Sequence, residues 1–193
     1  MTRPKSNEPD AFWRDVRDGT AADLGFACAA DTLTPVAPPT DLRERLLGAA
    51  RPEDRLARFA EPIAELLQID RDAARALIAR IDDPSAWFDL LPGIQLLPAP
   101  GGPTVQNALR GFVRVRAGVE FPQHEHLGDE AVMIMQGYYA DGVTGDIFGP
   151  GDVPKHLEST QHSFRVLADG PDLLGLVVAQ GGLRAQGQTF LPF

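Results

Sequence analysis

At 193 residues the chain is long enough for one ordinary hydrophobic core with a smaller attachment, or for two compact units. Its apolar fraction of 44% and charged fraction of 23% are those of a globular protein, and no uninterrupted apolar run approaches the ~20 residues that span a bilayer, which argues against a membrane anchor. The formal charge of −9, from 18 Lys and Arg against 27 Asp and Glu, argues against a nucleic-acid phosphate backbone as partner and is compatible with a basic protein.

The opening "MTRPKSNEPD" is polar, with no apolar segment behind it of the kind a secretory signal needs. Cys28 is the sole cysteine, so no disulfide can form within the chain, and a cytoplasmic home is the expectation. Phe12, Trp13 and Val16, then Leu24, Ala27 and Cys28, give a weak helical pattern broken by "DGT" at 18–20. The proline-rich "TPVAPPT" at 34–40 is a break, after which Thr40 or Asp41 can cap a helix over "LRERLLGAA". Pro52, Glu53 and Asp54 suit the first turn of the next helix, in which Leu56, Phe59, Ala60, Ile63 and Leu67 recur at helical spacing; Pro62 should kink or divide it. Asp70 can cap a further helix whose Ala74, Leu77, Ile78 and Ile81 form one apolar stripe. Residues 1–85 therefore read as a helical region.

From Trp87 the pattern changes to strands separated by Gly/Pro turns. "ALRGFVRVRAG" alternates Phe112 and Arg114 with Val113 and Val115, while "EAVMIMQGYY" and "DLLGLVVAQ" read as strands buried on at least one face. Turn signals at "PAPGGP", "ADGVTGD", "FGPGD" and "ADGPD" fit a compact all-β sandwich or barrel over residues 86–193.

All four histidines, at 124, 126, 156 and 162, fall in this second half. In the stretch "HEHLGDE" an extended backbone would send His124 and His126 to one face and Glu125 to the other, because strand side chains alternate. A turn at "LGD" can bring the Glu130 carboxylate back to the same point. Two imidazoles and a carboxylate with open positions suit zinc, iron, manganese or nickel. Either His156 or His162 could add a third imidazole, and local sequence does not separate them. Met133, Met135, Tyr138 and Tyr139 are candidate pocket residues, although Met and aromatic side chains on strands are more often core.

The wider stretch resembles the cupin superfamily, whose first motif runs G-x5-H-x-H-x3/4-E-x6-G. Gly118, His124, His126, Glu130 and Gly137 match every fixed position of it. The second motif, G-x5-P-x-G-x2-H, is met by Gly151 and by His162, with Leu157 and Ser159 at its proline and second glycine. The resemblance implies a mainly β fold, a jelly-roll barrel holding a metal through His124, His126, Glu130 and His162. It leaves His156 as a surface or outer-sphere residue, with Met135 and Tyr139 as further pocket candidates. In a narrower way "SAWFDLLPGIQLL", "RGFVRVRAGVEFPQHEHLGDEAVMIMQGYYAD" and "GPGDVPKHLESTQHSF" are similar to the cupin domain of ChrR-type anti-sigma factors. That family implies zinc as the first choice of metal, a group IV sigma factor as partner of the helical region, and a small molecule as the ligand of the barrel. A homodimer is compatible with it. One departure stands out: residues 1–85 hold no histidine and only Cys28, so the family's H-x3-C-x2-C zinc motif is missing. The alternative reading of the same site is a metal-dependent dioxygenase acting on a small organic substrate.

Overall fold

The computed structural model describes residues 37–49 and 55–192. The expected helices over 12–28 and the helix start at Pro52 lie outside these residues. The chain divides after Leu46 into two compact units. Of the first, the proline break at 37–39 and the start of helix α1 (Leu42–Ala49) are described.

The second unit opens with a short 3-10 turn, Ala57–Phe59, followed by α2 (Ala60–Leu67) and α3 (Arg71–Ala79). Pro62 neither kinks nor interrupts α2. It lies in the first turn, where backbone N–H groups have no intrahelical acceptor and its missing donor costs nothing. The Asp70 side chain accepts a 2.8 Å hydrogen bond from the Ala73 amide and so caps α3. Among the described residues, no helix is long and apolar enough to cross a membrane.

Twelve strands follow, arranged in two antiparallel six-stranded sheets. The first sheet orders β1 (Phe88–Leu91), β2 (Ile94–Pro98), β3 (Ala108–Val115), β10 (Leu173–Gln180), β5 (Glu130–Gln136) and β8 (Lys155–His156). The second orders β12 (Gln188–Phe190), β11 (Leu183–Ala185), β4 (Glu120–His126), β9 (Gln161–Val166), β6 (Tyr139–Asp141) and β7 (Ile147–Phe148).

Each face of the first sheet has its own core. On one, Phe112, Met133, Met135, Leu174 and Leu176 pack with Ile63, Leu67, Leu77 and Ile81 of the helical segment. On the other, Val113, Val115, Ile134 and Leu173 meet Phe121, Tyr139 and Val166 of the second sheet. This explains why β10 is apolar almost throughout: with helices behind and a sheet in front, neither face reaches water. It also places α2 and α3 in the same compact unit as the strands. Arg114 stands on the helix-facing side of β3, with its guanidinium 4.1 Å over the Trp87 ring and a 2.9 Å hydrogen bond to the Ile81 carbonyl.

The second cupin motif departs from its pattern at a conformationally demanding point. Ser159 sits at φ +65° in the turn that leads into β9, at the place where the motif has glycine. Its amide donates to the His126 carbonyl at 2.9 Å, so the turn is tied to the site below. Ser159→Gly is expected to raise stability by about 0.5–1 kcal/mol, the left-handed strain relieved exceeding the extra backbone entropy of glycine. A urea midpoint that falls in this variant would contradict the assignment.

Candidate metal centre

The two histidines of "HEHLGDE" lie on β4 and point the same way, into the space between the sheets. His124 and His126 are buried, whereas Glu125 faces outward and pairs with Arg184 at 2.8 Å. β9 runs antiparallel to β4 with His162 directly opposite His124. Glu130 opens β5 in the other sheet. One ligand atom from each of His124, His126, Glu130 and His162 lies within 4.8 Å of the others, and all four residues are buried. The cluster therefore draws three imidazoles from one sheet and a carboxylate from its partner.

Hydrogen bonds fix which nitrogen of each ring faces the centre. His124 Nδ1–H donates to the Pro122 carbonyl at 3.0 Å, and His162 Nδ1–H donates to the Asp141 carboxylate at 2.6 Å. His126 Nδ1–H donates to Thr160, whose carbonyl oxygen lies at 3.1 Å and Oγ1 at 2.9 Å. Since the Thr160 hydroxyl spends its one proton on the Leu157 carbonyl, Oγ1 can only accept from His126. In this tautomer Nε2 of each ring carries a lone pair and faces inward.

The inward atoms are left in need of a cation. Nε2 of His126 and of His162 are buried without a hydrogen-bond partner. His126 Nε2 lies 3.2 Å from Glu130 Oε2, and the side chains are 0% and 4% exposed, so a nitrogen lone pair confronts a carboxylate in a dry site. A divalent metal between them satisfies both, and a carboxylate or carbonyl on the far nitrogen of each imidazole is the usual way of orienting such ligands. The residues fit the group.

Electrostatics agree with a ligand set held deprotonated. Burial pushes the His124 imidazole down to about 4, only partly opposed by its bond to Pro122 and by Glu130. Burial works against the Glu130 carboxylate; protonated imidazoles around it, His126 first, would outweigh this and hold its pKa below the ordinary value, and with those rings neutral a cation would have to supply the same positive charge. Asp141 is likewise penalised by burial, yet hydrogen bonds from the Thr144 amide, His162 and the Val143 amide keep it ionised, with a pKa of about 2. Burial raises the Tyr139 phenol above its ordinary range, and the charges of Asp141 and Glu130 add to this.

The sign for stability follows directly. Between pH 6.5 and about 4 an unfolded chain takes up a proton on His124 that the folded chain refuses. Chelator-treated protein is therefore expected to lose stability as pH falls through that window, at up to about 1.4 kcal/mol per pH unit from this group. Urea midpoints at pH 7, 5.5 and 4.5 measure it; a flat series would contradict the placement of His124.

Of the other candidates, Tyr139 lines the cavity between the sheets together with His124, Glu130, His156 and His162. Met133 and Met135 do not: both lie in the helix-facing core, on the opposite face of β5 from Glu130. Tyr138 is about half exposed and also turned away. His156 lies beside the cluster, its ring centroid 4.0 Å from that of His162 and its ring stacked on His126 at 4.9 Å. Asp141 was not singled out in the sequence, where "ADGVTGD" reads as a turn. Its tell is an aspartate whose side chain must serve a turn and also stand two strands from β4.

Three imidazoles and a glutamate thus converge between two antiparallel sheets, on the positions that the first and second motifs mark. The fold is mainly β, two antiparallel six-stranded sheets with a small helical segment. No family model matches the chain, and no curated protein does. Among solved structures, an RmlC-like cupin protein from Ralstonia eutropha is 24% identical, with a TM-score of 0.47 over 51% of this chain and 65% of that one. The chain thus spans slightly under two thirds of that cupin. A structure of Rhodobacter sphaeroides SigE in complex with the anti-sigma ChrR is 20% identical, with a TM-score of 0.47 over 86% of this chain and 79% of the other. An acetylacetone dioxygenase from Acinetobacter johnsonii is 12% identical, with a TM-score of 0.47 over 57% and 82%.

Proposed function

We propose that this chain is a metal-binding regulatory protein of the ChrR-like kind, an anti-sigma factor or sensor acting in the cytoplasm. In this reading His124, His126, Glu130 and His162 hold a divalent metal, zinc before iron, manganese or nickel. The helical N-terminal region engages a group IV sigma factor, and the cupin-like domain responds to a small molecule or oxidant. When bound, the metal supplies a Lewis-acidic positive charge that a small donor molecule can address.

The observation that carries the reading is the size of the enclosed space between the sheets, as against the more open clefts that also touch His162 and Glu130. The cavity between the sheets measures about 50 Å³, against the ~300–1,000 Å³ of pockets that enclose larger organic ligands. Its walls include Leu96, Phe121, Val132 and Leu173, so beyond the cluster and Tyr139 they hold few groups to orient a functionalised substrate. Such a space favours a species of a few atoms. The acidic charge and the ChrR-like sequence around both motifs support a protein partner over a metabolic substrate.

The test is binding of the zinc-loaded full chain to group IV sigma factors, with and without hydrogen peroxide. Complex formation that peroxide reverses is expected, and no binding to any of them would remove the sigma-factor role. The second reading, a dioxygenase, is favoured by one feature: a six-coordinate metal such as iron(II), if held by these four residues, would have positions left for substrate and dioxygen. Oxygen uptake by the iron(II)-loaded protein with diketone or flavonol substrates would decide for it.

A further inference from the structure

The three ligand imidazoles each have a protein acceptor on Nδ1. His156 has none: among the described residues its ring makes no hydrogen bond, and its Nε2 is buried without a partner. An unmet buried polar nitrogen is costly unless something outside the protein meets it. The ring is nonetheless held in place, stacked on His126 with 10° between the planes and packed against His162. β8 sets it opposite Glu130 across the β5 pairing, yet it stands outside the four-atom cluster.

Its position is also a meeting point of three spaces. His156 lines the cavity of about 50 Å³ between the sheets. It lines an outer cleft of about 380 Å³ with Asp141, Phe148, Lys155 and His162. On its other side it borders a cleft of about 280 Å³ with Asp129, Lys155 and Leu157. Each cleft also touches a member of the cluster, His162 in the first and Glu130 in the second, with His156 beside it. With the other histidines and Glu130 turned to the centre of the cluster, where they would hold a cation, His156 is the imidazole left to address whatever sits beside it.

We propose that His156 is a ligand-recognition residue, its Nε2–H donating a hydrogen bond to a hydrogen-bond-accepting molecule of two or three heavy atoms lodged next to the metal. The size limit comes from the cavity, and the donor role from the partnerless nitrogen. This rests on the metal-binding reading above. It assigns His156 to the incoming ligand and not to the metal.

Azide serves as the probe, with the full chain stripped by chelator and reloaded with cobalt(II), whose visible spectrum reports both metal binding and azide binding. The wild-type protein is expected to bind one cobalt and to change spectrum on azide addition. His156→Phe, which keeps a ring but has no donor, should keep its cobalt and bind azide about 10- to 100-fold more weakly. His156→Gln, which restores an N–H, should recover part of that loss. Equal azide affinity in His156→Phe and wild type would overturn the proposal. So would loss of cobalt from the His156 variants, which would make the residue a metal ligand. Wild-type protein that binds cobalt but not azide overturns this proposal alone, whereas wild-type protein that binds no cobalt overturns the metal reading itself.

Discussion

His126→Ala is expected to deprive the protein of its metal. His126 is the most enclosed member of the cluster, 1% exposed, and Thr160 fixes its ring so that Nε2 faces Glu130. Removing it takes away a ligand and strands the Glu130 carboxylate in a dry site. Replacing groups that merely orient a ligand costs metal affinity by about 10- to 100-fold, so losing the ligand itself should exceed about 100-fold. Elemental analysis of purified wild type should give about one metal per chain, and the variant should give next to none, with His124→Ala and His162→Ala alongside. Full metal content in all three would sink the ligand assignment. Circular dichroism of each variant separates loss of metal from loss of fold.

Phe112→Ala should have the largest effect on stability, lowering it by about 3–5 kcal/mol. Phe112 is fully buried on β3, on the face where α2 and α3 cover the first sheet. The void would open at the seam between helices and strands, where neither side can collapse into it freely. Urea denaturation should show a lower midpoint with an unchanged slope. Amide hydrogen exchange should show α2 and α3 opening together with β3 and β10, because both belong to one packed unit. Exchange of α2 and α3 at a free energy well below that of β3 and β10 would refute the shared core.

Much of this was legible in the sequence because the physics is local. The stripes of Ile63 and Leu67, and of Leu77, Ile78 and Ile81, follow from helical period, the Asp70 cap from its place before an apolar run, and the convergence of His124 and His126 from strand alternation. Alternation also held information that went unused. Met133 and Met135 are odd-numbered on a strand whose Glu130, Val132 and Ile134 face the second sheet, so their exclusion from the cavity was readable. Pro62 needed the helix start to be known before its effect could be judged. Asp141, and the place of His156 against the cluster, were hidden for a different reason. Their roles depend on β6 pairing with β9 and on the two-residue β8 pairing with β5, and such short strands between turns carry no periodic signal of their own. The choice of His162 over His156 came from motif spacing, and the structure gives its basis in the direct pairing of His162 with His124.

The cluster takes its carboxylate from one sheet and its imidazoles from the other. A cation seated there would act as a rivet across the open end of the sandwich, where the short strand β8 lies at the edge of its sheet. Local opening of that end would then be governed by the free metal concentration around the protein, since every opening event must first release the ion. Amide hydrogen exchange in β8 and in the turn before β9 would slow as metal is buffered upward.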